Sequence, residues 1–147
     1  MYTNNKNIVI GDNYKATFKT EADAAAFVVN ANAEILNKAK QEKIKQLHTN
    51  YQEAYNEYLS QYPKAEVDSF PIKQAEALAY QKDNNAPTPV IDDIVSKSGG
   101  TKEDHIQSVL DKISYLAQKE GAMLSIRDKI KACTTQADLD KVVLWVI

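Results

Sequence analysis

At 147 residues the chain has room for one ordinary domain, or a small domain with an extended arm, and not for two catalytic domains. Hydrophobic residues at 44% and charged residues at 26% support a buried core, while a net charge of -2 gives no basic footprint for nucleic acid or an acidic membrane surface. The single Cys133 cannot close an internal disulfide, the polar start Met1 to Lys6 lacks the apolar core of a signal peptide, and the longest apolar run, Val142 to Ile147, falls far short of the ~20 residues that span a bilayer; an intracellular protein with no nucleic-acid or membrane partner is expected.

Residues 1–19 read as a β-hairpin. Ile8-Val9-Ile10 and the alternating Tyr14, Ala16 and Phe18 flank the turn-rich triplet Gly11-Asp12-Asn13. A hairpin this small is marginal alone, so it must lie on another element or extend another sheet, and its edge is open to a partner.

Residues 20–62 read as one long, coiled-coil-like helix. Thr20 with Asp23 forms a relaxed capping box, and no Gly or Pro follows until Pro63. Ile44, Leu47, Tyr51, Ala54 and Tyr58 recur at spacings of 3 and 4, an apolar seam that calls for a second helix from this chain or from another copy. A dimer is therefore expected. Asn30, Asn32 and Asn37 have low helix propensity, so a bend or break near Asn37 is a further expectation.

Residues 63–147 read as a compact helical bundle. Ser69 caps a helix with Pro71 in its first turn, running through Ala75, Leu78 and Ala79 to about Lys82; Thr88 with Pro89 starts another, which Gly99-Gly100 ends. Thr101 with Asp104 opens the longest helix of the block. Gly121 inside it points to close packing or a kink, and Thr135 with Asp138 opens a last short helix. The fold class is thus mainly α: hairpin, long helix, bundle.

Chemistry-bearing residues are sparse. His48 and His105 fall on different helices, Cys133 has no partner cysteine, and the pairs Asp92-Asp93 and Asp138 with Asp140 sit in or near first turns, where the helix dipole favours carboxylates. Neither a catalytic residue nor a metal ligand nor a cofactor is assigned, and the chain reads as a non-enzyme. The unusual feature is aromatic: Tyr51, Tyr55, Tyr58 and Tyr62 line one flank of the long helix, a composition suited either to a protein interface or to packing on the bundle. Trp145, in the apolar stretch Leu144 to Ile147, is a further partner-binding candidate.

Ser69-Phe70-Pro71 with Gln74, Glu76, Ala77, Tyr80 and Asp83, then Ala86-Pro87-Thr88-Pro89 and Asp92, then Ile126 to Ile130, resembles the C-terminal helical region of tail-fibre-associated and tail-fibre-assembly-like proteins of bacteriophages and prophages. The resemblance covers roughly residues 55–139. It implies a non-enzymatic role in assembling, chaperoning or capping a fibre, a phage tail or fibre protein as partner, and a place in the bacterial host cytoplasm, leaving open retention in the virion tail. A dimeric bacterial adaptor or regulatory module is the alternative.

Overall fold

The structure, a computed structural model, describes residues 1–144. Three short strands, β1 (Thr3–Asn5), β2 (Ile8–Gly11) and β3 (Tyr14–Thr17), precede five helices: α1 (Glu21–Ser60), α2 (Lys64–Lys82), α3 (Pro89–Ser98), α4 (Lys102–Ala132) and α5 (Gln136–Lys141). The chain is mainly helical behind an N-terminal antiparallel sheet. Two compact units form, one from residues 1–50 with the described residues from 125 onward, the other from residues 51–124; α1 and α4 contribute to both.

The expected hairpin is the β2–β3 part of a three-stranded sheet in the order β1-β2-β3. Strand β1 went unread because Thr3-Asn4-Asn5 carries no apolar alternation; it pairs Thr3 with Ile10 and Asn5 with Ile8 through backbone groups. The turn between β1 and β2 is Lys6-Asn7, with Lys6 at a positive φ of 54°. Asn7 steadies it from the side, its Nδ2 donating to the Phe18 carbonyl at 3.0 Å.

The sheet lies on the first turns of α1. Val9 is buried, and Phe27 gathers the rings of Tyr2, Tyr14 and Phe18 at centroid distances of 5.7, 5.5 and 5.2 Å. At Gly11 a β-carbon would stand 2.6 Å from the Tyr2 ring, so the close approach of that ring requires glycine. Asn32 completes the attachment: its Oδ1 accepts from the Tyr2 N–H at 2.9 Å and its Nδ2 donates to the Tyr2 carbonyl at 3.0 Å.

Helix α1 runs unbroken through Asn37. The helix does not break there, and one of the propensity-lowering residues, Asn32, spends its amide on the N-terminal strand segment instead of on its own helix. Thr20 caps the start as expected, accepting from the Asp23 N–H at 3.1 Å. The seam is covered within a single chain: Leu47 is fully buried, Ala54 is buried, and Ile44, Tyr51 and Tyr58 are half-buried. Lys43 and Lys40 also reach backbone of this N-terminal unit, donating to the Leu139 and Lys131 carbonyls at 2.6 and 2.9 Å.

In the other unit, α2 begins at Lys64 rather than at Ser69. Pro63 is its N-cap, an exposed Lys64–Asp68 ion pair at 2.7 Å strengthens its first turns, and Pro71 lies inside it. An interior proline removes one backbone hydrogen bond and crowds the carbonyl four residues back. Here that carbonyl is Val67's, and Val67, Phe70 and Pro71 all line one cavity. The buried positions of α2 are Lys73, Glu76 and Ala77, whereas Leu78 is exposed. Ala77, Ile91 and Ile106 form the core of this unit, with Tyr80, Val95, Val109 and Leu110 packed around it.

Thr88 precedes α3 as expected but makes no side-chain cap bond. Glu76 does its work from α2: the carboxylate accepts from the Val90 N–H at 3.0 Å and the Ile91 N–H at 2.9 Å, satisfying two otherwise orphaned donors. Gly99 and Gly100, with φ of 76° and 88°, stop α3, a conformation that disfavours any side chain. Thr101 and Thr135 cap α4 and α5, each accepting from the N–H three residues on at 3.1 Å.

Candidate functional site

Tyr51, Tyr55 and Tyr58 of α1, and Tyr62 in the short connection after Ser60, lie in the unit of residues 51–124, and all four are half-buried. Tyr58 stacks on Tyr115 of α4 at 4.9 Å and meets Tyr62 edge-on at 5.7 Å, while Tyr62 meets Phe70 of α2 edge-on at 5.4 Å. Tyr55 lines a cavity described below, and Tyr51 flanks Ala54 and Tyr58 beside Lys119. The rings are therefore engaged with α2 and α4 of their own chain. Burial first, then the contact with the Tyr62 hydroxyl and the neighbouring rings, push the Tyr58 hydroxyl up to about 12; burial also raises Tyr51. Trp145 lies outside the described residues.

Most of the candidate polar residues have local partners. His105 Nε2 is 3.2 Å from Ser98 Oγ, Cys133 Sγ is 3.2 Å from the Lys129 carbonyl, and Asp138 and Asp140 accept from Thr135 and Gln136. Asp92 pairs with Lys102 at 2.7 Å, and that ammonium holds its carboxyl below the usual carboxylate range. Among the described residues, no three His, Cys, Asp or Glu side chains stand together as a metal site, and no helix is long and apolar enough to cross a membrane.

Two surfaces stand out. In the N-terminal unit, Met1, Val29 and Ile35 expose 68%, 66% and 40% of their area around a hollow of about 340 Å³. Leu36 lines it from α1, and Thr134 and Gln136 line it from the segment entering α5. Isolated exposed aliphatic residues are ordinary, but three around one hollow form a patch with the character of an interface. The sheet of this unit has two outer strands, β1 and β3, each with one edge unpaired by any strand among the described residues. The sequence carries a second apolar stripe, Phe27, Ala31 and Ile35, out of phase with the seam, and Ile35 of the patch belongs to it, whereas Met1 and Val29 lie off both stripes.

The second surface is the cavity in the other unit, about 310 Å³, bounded by α1, α2 and α4. Lys73 and Lys112 enter its lining, and Glu66 lies 4.0 and 3.5 Å from their ammonium groups. Glu66 and Lys73 stand seven apart on α2, two turns along one face, which is readable in sequence; the arrival of Lys112 from α4 is not.

No family model, curated protein or solved structure matches the chain.

Proposed function

We propose that the chain is a non-enzymatic assembly protein of a bacteriophage or prophage tail, binding a tail or tail-fibre protein through its N-terminal unit. The observation that carries a binding role is the exposed trio Met1, Val29 and Ile35 around one hollow, in the same unit as a sheet with open edges. An extended segment of a fibre protein would find backbone groups at a sheet edge and apolar side chains at the hollow in the same unit. The tail assignment itself rests on the resemblance of residues 55–139. Within that stretch Glu76, Thr88, Pro89 and Asp92 build the joint between α2, α3 and α4, so they serve as scaffold in this reading rather than as contact surface.

A dimer built on the seam of α1 loses its motive, since one chain buries Leu47 completely. Self-association, where it occurs, is assigned to the exposed patch instead.

The test is affinity capture of the full chain from cells producing phage particles, with Val29→Asp/Ile35→Asp as the paired variant and helical circular dichroism as the folding control. Recovery of a tail or fibre protein by the wild type, lost with the variant, is the expected result. Equal recovery by the variant, recovery of further copies of the chain alone, or no tail component overturns the proposal.

A further inference from the structure

The cavity between α1, α2 and α4 has walls and charges that match one kind of small molecule. Leu59, Val67, Phe70, Val109, Ile113 and Leu116 make its lining mostly apolar. Against this lining stand two ammonium groups that share one carboxylate: Glu66 Oε1 is 3.5 Å from Lys112 Nζ and 4.0 Å from Lys73 Nζ. The second distance is beyond hydrogen-bond reach. The cluster carries a net charge of one positive unit; Lys73 is buried, only 8% exposed, while the Lys112 and Glu66 side chains are partly exposed, at 28% and 37%.

Aromatic faces complete the surroundings of these cations. Lys73 lies 4.9 Å from the Phe70 ring centroid, and Lys112 lies 4.4 Å from Tyr62 and 5.2 Å from Phe70. Such contacts compensate an ammonium only partly. Burial holds Lys73 below the ordinary lysine range, and Lys112 adds to that shift while Glu66 opposes it. A half-compensated cation pair at the wall of an apolar cavity favours a ligand that brings one negative charge and an apolar body.

We propose that this cavity binds a free aliphatic monocarboxylate, the carboxylate between Lys73 and Lys112 and the chain along Leu59, Val109 and Leu116. At ~30 Å³ per water-sized group, 310 Å³ takes about ten non-hydrogen atoms, the size of octanoate. A dianion would overshoot the single unbalanced charge, and an amine would meet two like charges. The site is separate from the patch in the N-terminal unit, so it stands or falls independently of the tail assignment.

Calorimetric titration of the full chain with octanoate, octan-1-ol and octylamine tests the proposal, with methyl NMR shifts of Ile113 and Leu116 locating the ligand. Octanoate binds saturably at one site, the alcohol binds about tenfold more weakly, and the amine does not bind. Lys112→Met weakens octanoate about tenfold, whereas Lys112→Arg keeps most of the affinity. Glu66→Gln is the discriminating variant. It removes the competing internal carboxylate and tightens octanoate several-fold, an outcome that mere damage to the fold does not produce. Absence of saturable binding at low millimolar octanoate, equal binding of the alcohol, or unchanged or weaker binding to a folded Glu66→Gln protein overturns the proposal.

Discussion

In the N-terminal unit the strands are held to their helix by rings and by an amide side chain, whereas in the unit of residues 51–124 the helix ends and faces are held by charges. Phe27 collects three rings, and Asn32 makes two hydrogen bonds to the Tyr2 backbone. On the other side Glu76 caps α3 from α2, Asp92 pairs with Lys102, and Glu66 sits between Lys73 and Lys112. Three-residue strands have little apolar area to bury, so ring clusters and backbone pinning must supply what the sheet lacks. Short helices such as α3 have the opposite problem of orphaned end groups, and a buried carboxylate from a neighbour solves it. The difference predicts that mutations in the first unit act through lost packing and mutations in the second through electrostatics.

The largest expected effect breaks the packing side. Leu47 is fully buried in the N-terminal unit, and Leu47→Ala is expected to cost about 3–5 kcal/mol, a large part of the stability of a domain this size. Urea unfolding measures the loss, which is the same at every protein concentration, because one chain alone buries this side chain. A loss that grew on dilution would return Leu47 to an interface between copies.

On the electrostatic side, Glu76→Ala removes two charge-assisted hydrogen bonds to the first turn of α3, and about 2–3 kcal/mol is expected. Amide exchange of Val90 and Ile91 is expected to accelerate before that of the β2 amides. Equal acceleration in both units would show that the two are not stabilised separately.

These two residues also show what the sequence discloses. Leu47 was legible as interior from its 3-and-4 spacing, and Thr20, Thr101 and Thr135 were legible as caps because a cap and its recipient lie three residues apart. Glu76 was not, since its recipients lie 14 and 15 residues away across a turn. The buried face of α2 is also beyond an apolar pattern, since Lys73 and Glu76 are inside and Leu78 is out. The tyrosine flank was visible as a flank, but its facing partners Tyr115 and Phe70 come from other helices. The cavity, and the meeting of Val29 and Ile35 with Met1 and Gln136, were invisible for the same reason: each is made by residues far apart in the chain.

A smaller effect appears in base. Tyr58 titrates near 12 in the folded protein against 10.0 ordinarily, so the folded state keeps a proton that the unfolded chain releases first. A raised folded value means a contribution fully present below pH 10 and lost as pH rises from 10.0 towards 12. Tyr58→Phe is expected to flatten part of this fall in urea-unfolding stability over that window. Mutations in the ring cluster around Phe27 leave the window unchanged, which separates the two units by pH alone.

The smallest expected effect has the opposite sign. Gly121 lies inside α4, and its position in the sequence pointed to close packing or a kink, yet among the described residues nothing beyond its own helix backbone and chain neighbours lies within 4 Å of where its β-carbon would stand, and the residue is exposed. Glycine there carries the backbone-entropy cost of a helix interior without a steric reason for it. Its φ is not positive, so alanine fits without strain. Gly121→Ala is therefore expected to stabilise the protein by about 0.5–1 kcal/mol, through fewer states in the unfolded chain rather than through new contacts. Because α4 contributes to both units, the gain is expected in amide protection on both sides of residue 121, for Val109 as for Ile130. A gain confined to one side would mean that the halves of α4 open independently, and a destabilisation would show that Gly121 has a packing partner after all.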